Sequence, residues 1–332
     1  MLQRLRLFLF GALCLAAVQG PAFAATSEIN FGIINTEASQ NLKSLWEPFL
    51  QDMEKRVGVR IKAFFASDYA GVVAGMQYNK VQLAWYGNKA AMEAVDRANG
   101  EVFVQTIDAY GLGGYYSHLI ARVDSPLSSE KDVLAKAGEL TFANGDPNST
   151  SGFLVPGYYV FAMNHADPRK IFKRTVSANH ETNALSVANG QVDVATCNSE
   201  ALERLEHTQP DKRALIKTIW TSPLIPSDPI VWRRDLPEET KKKLLDFFLN
   251  YGVSGPEAAR EREVLKALQW SRFQISNNDQ LLPIRQLELF RERSRIEGDS
   301  GMNSAEKDLK LREVDEKLAA LNARMAEIAK AK

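Results

Sequence analysis

Three consecutive hydroxyl residues, Ser149, Thr150 and Ser151, sit inside Asn144-Gly145-Asp146-Pro147-Asn148-Ser149-Thr150-Ser151-Gly152, between the strand-like run Leu140–Ala143 and the apolar Phe153-Leu154-Val155. Asn148 and Ser149 are N-cap residue types, so the stretch predicts a strand, a turn and a helix starting near Thr150. Unsatisfied backbone N–H groups at a helix start, joined by three hydroxyls, make an anion-binding site. The run lacks the Gly-Lys-Ser/Thr ending of a nucleotide P-loop and is not a dinucleotide fingerprint. The competing explanation is a plain N-cap run that serves only its own helix.

Further polar residues fall at equivalent edges. His180, in Asn179-His180-Glu181-Thr182, ends the next predicted strand, and Tyr69, in Ser67-Asp68-Tyr69-Ala70, ends its counterpart earlier in the chain. Tyr115 follows Gly113-Gly114, where two glycines allow close backbone approach. Two carboxylates join them: Glu200 just after the run Val192–Ala195, and Asp228 in Pro226-Ser227-Asp228-Pro229. Acids beside an anion site repel a bare anion, but a zwitterion with an anionic head and an ammonium tail satisfies both ends. A helix-start carboxylate serving the dipole is the simpler account of Glu200 alone. A Ser-His-Asp triad can be drawn from Ser149 or Ser151 with His180 and Asp228, yet neither serine sits in a Gly-x-Ser-x-Gly elbow. The four histidines, His118, His165, His180 and His207, form no ligand-spaced pair, so no metal is expected. The constellation favours binding over catalysis, with no cofactor.

The elements that must position these residues alternate. Ile29–Ile34, Arg60–Phe65 and Val81–Trp85 read as strands, with helical periodicity over Leu42–Val57 and Val72–Tyr78. The plan recurs with strands at Leu140–Ala143, Arg174–Ala178 and Val192–Ala195 and a helix over Thr182–Ala188. It recurs in letters as well. Met76–Trp85 lies over Val187–Thr196 at an offset of 192 − 81 = 111, which also lays Tyr69 over His180 and Lys89 over Glu200. Two α/β lobes of like design follow, each a mostly parallel sheet with helices on both faces. Ser117–Arg122 is the expected crossover strand and Pro229–Trp232 the return, a two-crossing hinge that points both sets of strand ends at one cleft. The expected divisions are residues 25–116 plus 229–256 for the first lobe, 117–228 for the second, and 257–332 for a C-terminal helical extension. In that extension Leu311, Val314, Leu318, Leu321, Met325 and Ile328 form a short a/d seam, read either as packing on its own chain or as a dimerisation helix.

The whole chain has 332 residues with 41 basic and 41 acidic side chains, 45% apolar and 25% charged, an ordinary globular composition long enough for two cores. Balanced charge removes the basic face that nucleic-acid binding needs. Residues 1–24 read as a secretory signal: Arg4 and Arg6, an apolar run from Leu7 to Val18 too short to span a bilayer, then Ala22-Phe23-Ala24 as the cleavage site. The mature chain is expected to start at Ala25 and to be soluble outside the cytoplasm. Only Cys197 lies outside that leader, which excludes an intrachain disulfide framework and a thiolate zinc site. It reads as a small buried hydrophobe.

Taken together, Asp68–Gly71, Leu83–Gly87, Gly145–Gly152, His180–Ala184 and Asp228–Trp232 resemble the phosphonate-binding periplasmic proteins of ABC importers, and the likeness runs through nearly the whole mature chain. The resemblance implies a type II periplasmic-binding fold that traps its ligand by lobe closure and hands it to an inner-membrane permease driven by a cytoplasmic ATPase. Carried over residue by residue, it implies that Tyr69, Ser149, Thr150, Ser151 and His180 hold phosphonate oxygens. Tyr115, Glu200 and Asp228 would receive the amine of 2-aminoethylphosphonate. It further implies a dimer through the C-terminal helices. A phosphate or phosphite receptor of the same fold is the nearest alternative, and a secreted hydrolase using Ser151 and His180 the alternative from another class.

Overall fold

The computed structural model describes residues 28–330; the expected signal segment, residues 1–24, lies outside the described residues. The first sheet contains β1 (Glu28–Ile33), β2 (Arg60–Phe64), β3 (Leu83–Trp85) and β4 (Gly100–Asp108). The hinge piece β5 (Gly114–Tyr115) leads into the second sheet: β6 (Ser117–Arg122), β7 (Thr141–Asn144), β8 (Arg174–Ser177), β9 (Val194–Asn198) and β10 (Ile216–Thr221). β11 (Ile225–Pro226) pairs antiparallel with β5, and β12 (Pro229–Arg233) and β13 (Trp270–Ile275) return to the first sheet. The strand orders are β13-β4-β12-β3-β1-β2 and β10-β6-β9-β7-β8.

The expectation of mostly parallel sheets needs correction. Only β1 with β2 and β3, and β7 with β8 and β9, run parallel. β12 is antiparallel to both β3 and β4, as β6 is to β9 and β10, because a chain that crosses between lobes re-enters each sheet from the hinge end. For the same reason Ser117–Arg122 and Pro229–Trp232 are sheet strands; the crossings are the stretches just before them, 109–116 and 222–228. At β5, a Cβ on Gly114 would meet the Ile225 carbonyl at 2.2 Å, so that residue must be glycine for the two crossing segments to touch, whereas Gly113 faces open space.

The internal repeat holds at the level of elements. Helix Tyr69–Gln77 answers helix His180–Ala188, β3 answers β9, and helix Asn88–Arg97 answers helix Ser199–Thr208, each starting 111 residues later. Even the caps correspond: Asp68 accepts from the Gly71 N–H and Asn179 from the Thr182 N–H. A shared offset therefore puts Tyr69 and His180 at matching helix N-termini.

The first lobe does not stop at residue 256. Helix Ala258–Ala267 leads into β13, which pairs antiparallel with β4, so this lobe runs through Ile275. A bulge between Trp270 and Arg272 puts Trp270 and Phe273 on the same buried side at a spacing of three, which in sequence imitates a helix and hides the strand. Trp270 joins an aromatic core with Trp46, Trp85, Phe49 and Phe273, ring centroids 5.3–5.9 Å apart. The remaining tail is a helical hairpin, Leu282–Glu297 and Ser304–Lys330. Contacts from Arg293 to Asp315 and from Gln286 to Asn322 show the two helices running antiparallel. Val314 and Leu318 of the heptad seam are buried against Ile296, so that part of the seam packs on its own chain.

Candidate functional site

The Asn144–Gly152 stretch folds as a tight loop whose ends touch: the Gly145 N–H donates to the Gly152 carbonyl at 2.9 Å. A Cβ on Gly145 would lie 2.5 Å from the Gly152 backbone, so both glycines are required by close approach. Ser149 caps the helix that follows by accepting from the Gly152 N–H at 2.9 Å. That helix starts with wide π-type turns over Thr150–Leu154 and Gly157–Phe161, where a regular helix was expected. π-turns inside helices are frequent at functional sites.

All eight sequence-identified residues meet in one cleft between the lobes. Tyr69, Tyr115, Ser149, Thr150, Ser151, His180 and Asp228 are buried, and Glu200 is partly buried. They divide into two ends. At the first, His180 Nε2 faces Ser149 Oγ at 3.5 Å and Ser151 Oγ at 3.4 Å, long enough that neither hydroxyl is committed to it. Burial holds the His180 imidazole neutral, down to about 4. Tyr69 lies against Ser149, and burial, then the nearby Asp146 and Asp228 charges, push its phenol well above the ordinary range, so it remains an O–H donor. Neutral donors are the groups that an oxyanion binds.

At the other end, Tyr115 donates to Asp228 Oδ1 at 3.0 Å. Burial and then the Glu200 charge push the Asp228 carboxyl well up, and no basic side chain offsets them. Burial also raises Glu200 to about 7; Arg204 acts against the rise, and Asp108 and Glu203 add to it. One buried and one partly buried acid, with the Glu200 charge raising Asp228 and an arginine near Glu200 alone, favour a cationic neighbour. The two ends adjoin at Gly87, whose Cβ position would be 3.2 Å from Thr150 Oγ1 and 3.9 Å from Asp228 Oδ1.

The lobes are closed on one another. Thr150 Oγ1 accepts from the Lys89 N–H at 2.9 Å, and Asp146 Oδ2 accepts from the Tyr69 N–H at 3.1 Å. Thr150 is thus both a candidate ligand contact and a bond across the cleft.

Residues 31–281 match the family model for the periplasmic phosphonate-binding protein of ABC transporters. The chain belongs to this family. It is 56% identical over 306 residues to the phosphonates-binding periplasmic protein of Escherichia coli (strain K12), covering 92% of this chain and 89% of the relative. A phosphate-import protein of Mycolicibacterium smegmatis is 31% identical over 230 residues, covering 66% of this chain and 70% of the relative. The crystal structure of a binding component of an ABC phosphonate transporter from Pseudomonas aeruginosa superposes with TM-score 0.89 and 60% identity, over 92% of this chain and 99% of that one. Phosphonate-binding proteins of this family are substrate-binding components of importers and work in the periplasm, and this chain is one of them rather than an enzyme. The site agrees with that in its own chemistry. His180 Nδ1 has no partner and Asp228 is held by Tyr115, so no carboxylate orients the imidazole as a triad requires.

Several other groups that line or bridge this cleft carry little signal in the sequence. The Lys89 contribution is a backbone N–H, which no side-chain motif reveals. Asp146 was visible only as a turn residue, and its bond to the opposite lobe depends on closure. Trp85 lines a small cavity beside Glu200, and its indole N–H is buried without a protein partner; the aromatic ending of β3 was the available signal.

Proposed function

We propose that this phosphonate-binding protein captures a zwitterionic phosphonate, with 2-aminoethylphosphonate the best candidate, and delivers it to the permease of its ABC importer. Tyr69, Ser149, Thr150, Ser151 and His180 take the phosphonate oxygens, while Tyr115, Glu200 and Asp228 receive the ammonium group. The observation that carries this reading is the pairing of a neutral, donor-rich end with two acids at the other end, Asp228 buried and Glu200 partly so, both raised by desolvation. Closure excludes water, which strengthens each polar contact, and presents the permease with a shape distinct from the open form. Export by the segment 1–24 and self-association through the tail belong to the same reading.

The M. smegmatis relative is named as a phosphate importer, which makes inorganic phosphate the competing ligand. Glu200 and Asp228 argue against it, since a bare oxyanion gives them no partner. Isothermal titration of the chain from Ala25 with 2-aminoethylphosphonate, methylphosphonate and phosphate separates the readings. Tightest binding of the first supports the assignment. Preference for phosphate, or equal affinity for all three, overturns the amine end and leaves the anion end standing. Sedimentation of the same sample tests the dimer, with a monomer mass refuting it.

A further inference from the structure

Arg204 belongs to the second lobe, one helical turn beyond Glu200, yet its side-chain partners lie on the first. Its Nε is 2.6 Å from Glu37 Oε1, and its Nη2 donates to Gln269 Oε1 at 2.7 Å. Gln269 in turn donates from Nε2 to the Glu200 carbonyl at 3.1 Å. It is held at a φ of 65°, in the left-handed region a non-glycine side chain seldom adopts. Arg204, Glu37, Glu200 and Trp85 line one small cavity between the lobes. Beside it, Glu181 of the second lobe accepts from the Ala38 N–H at 2.9 Å and from Asn41 Nδ2 at 3.0 Å. The N-cap of helix Ser39–Val57 is Ala38, whose methyl side chain accepts no hydrogen bond, so a carboxylate is supplied from across the cleft.

We propose that Arg204 is a positioning residue that joins lobe closure to recognition of the ammonium group. Separation of the lobes breaks its ion pair with Glu37 and its hydrogen bond to Gln269, and meeting restores them, so the guanidinium favours the closed state without touching ligand. The same guanidinium lines that cavity with Glu200, one helical turn away, and its positive charge opposes the rise that burial imposes on the carboxyl. Closure and the charge state of the amine subsite thus share one side chain. This second half rests on the reading of Glu200 given above.

Titrating wild type, Glu37→Gln, Arg204→Gln and Arg204→Lys with 2-aminoethylphosphonate and methylphosphonate tests the proposal, with tryptophan fluorescence reporting closure beside Trp46, Trp85 and Trp270. Glu37→Gln removes only the clasp, and is expected to weaken both ligands alike by about 5- to 10-fold, the scale of a modest coupling between sites. Arg204→Gln is expected to weaken both by that factor and 2-aminoethylphosphonate by about a further tenfold. Arg204→Lys keeps a charge near Glu200 and should restore most of the amine preference but not the closure signal. Equal losses for the two ligands in Arg204→Gln, or no loss in either arginine variant, overturn the proposal. Wild-type indifference to the amine is read before any variant and refutes the ligand assignment instead, leaving the uniform loss in Glu37→Gln as the separate test of the clasp.

Discussion

Replacing Glu200 by Gln removes a charge from the cleft and almost nothing from its shape. In the ligand-free protein the Glu200 carboxyl is raised by burial to about 7. Its ionised fraction then climbs from about one tenth at pH 6 to about nine tenths at pH 8, as for any acid crossing its own pKa. An ammonium gains a charge-assisted bond from the ionised form only, a contribution of about 1.5–3 kcal/mol. That equals about 10- to 150-fold in Kd. Wild type should therefore bind 2-aminoethylphosphonate more tightly than Glu200→Gln by that factor at pH 8, and the advantage should shrink about 5- to 10-fold at pH 6. Ionisation of the ligand, and of His180, is common to both proteins and cancels in the ratio. Isothermal titration at pH 6, 7 and 8 measures it, with methylphosphonate as the control whose ratio should remain near one. An advantage that is the same at pH 6 and 8, or as large for methylphosphonate, refutes the reasoning.

The same residue predicts a stability effect of definite sign. Glu200 has an ordinary value of 4.5 and a folded value of about 7, so between those pH values the folded state holds more protons than the unfolded chain and stability falls as pH rises. Ligand-free Glu200→Gln should be more stable than wild type at pH 8, by about 3 kcal/mol at most, and equal to it at pH 4; a difference in urea unfolding that does not change between pH 4 and 8 would refute the raised carboxyl. Ser149→Ala and Thr150→Val should each weaken 2-aminoethylphosphonate and methylphosphonate by one common factor of about tenfold, and a variant selective for one ligand would contradict their place at the anion end. Cys197, buried and pushed up to about 12, should stay unlabelled by a thiol reagent until the protein unfolds; rapid labelling of native protein would disprove its burial. Leu318→Ala should cost about 2–4 kcal/mol of tail stability by opening the seam against Ile296, with ligand affinity unchanged; a parallel loss of affinity would mean the tail shapes the cleft.

Much of the site was legible because it is built from local chemistry. A hydroxyl run after a strand points to an anion site through helix-start donors, and the 111-residue repeat sets Tyr69 and His180 at equivalent strand ends, which in the fold are also helix N-termini. Less legible were features that depend on partners distant in sequence. The edge strand Trp270–Ile275 was hidden by its bulge, and the π-turns after Ser149 have no sequence signature of their own. Nothing local pairs Arg204 with Glu37, since 167 residues separate them and they meet across the two lobes.

The amino-acid sequence by itself determined most of the strands and helices of both lobes, the Ser149 cap and, through the repeat, the two-lobe plan, because periodicity and capping act over a few neighbouring residues and a repeated pattern can be laid on itself. Tertiary structure alone decided which way the return strands run, where the first lobe ends, and which backbone and side-chain groups bridge the two lobes. It also decided the ionisation of the polar residues. Whether a carboxyl is raised or an imidazole held neutral depends on the water removed and the charges brought near, and those are supplied by segments that meet only when the lobes close.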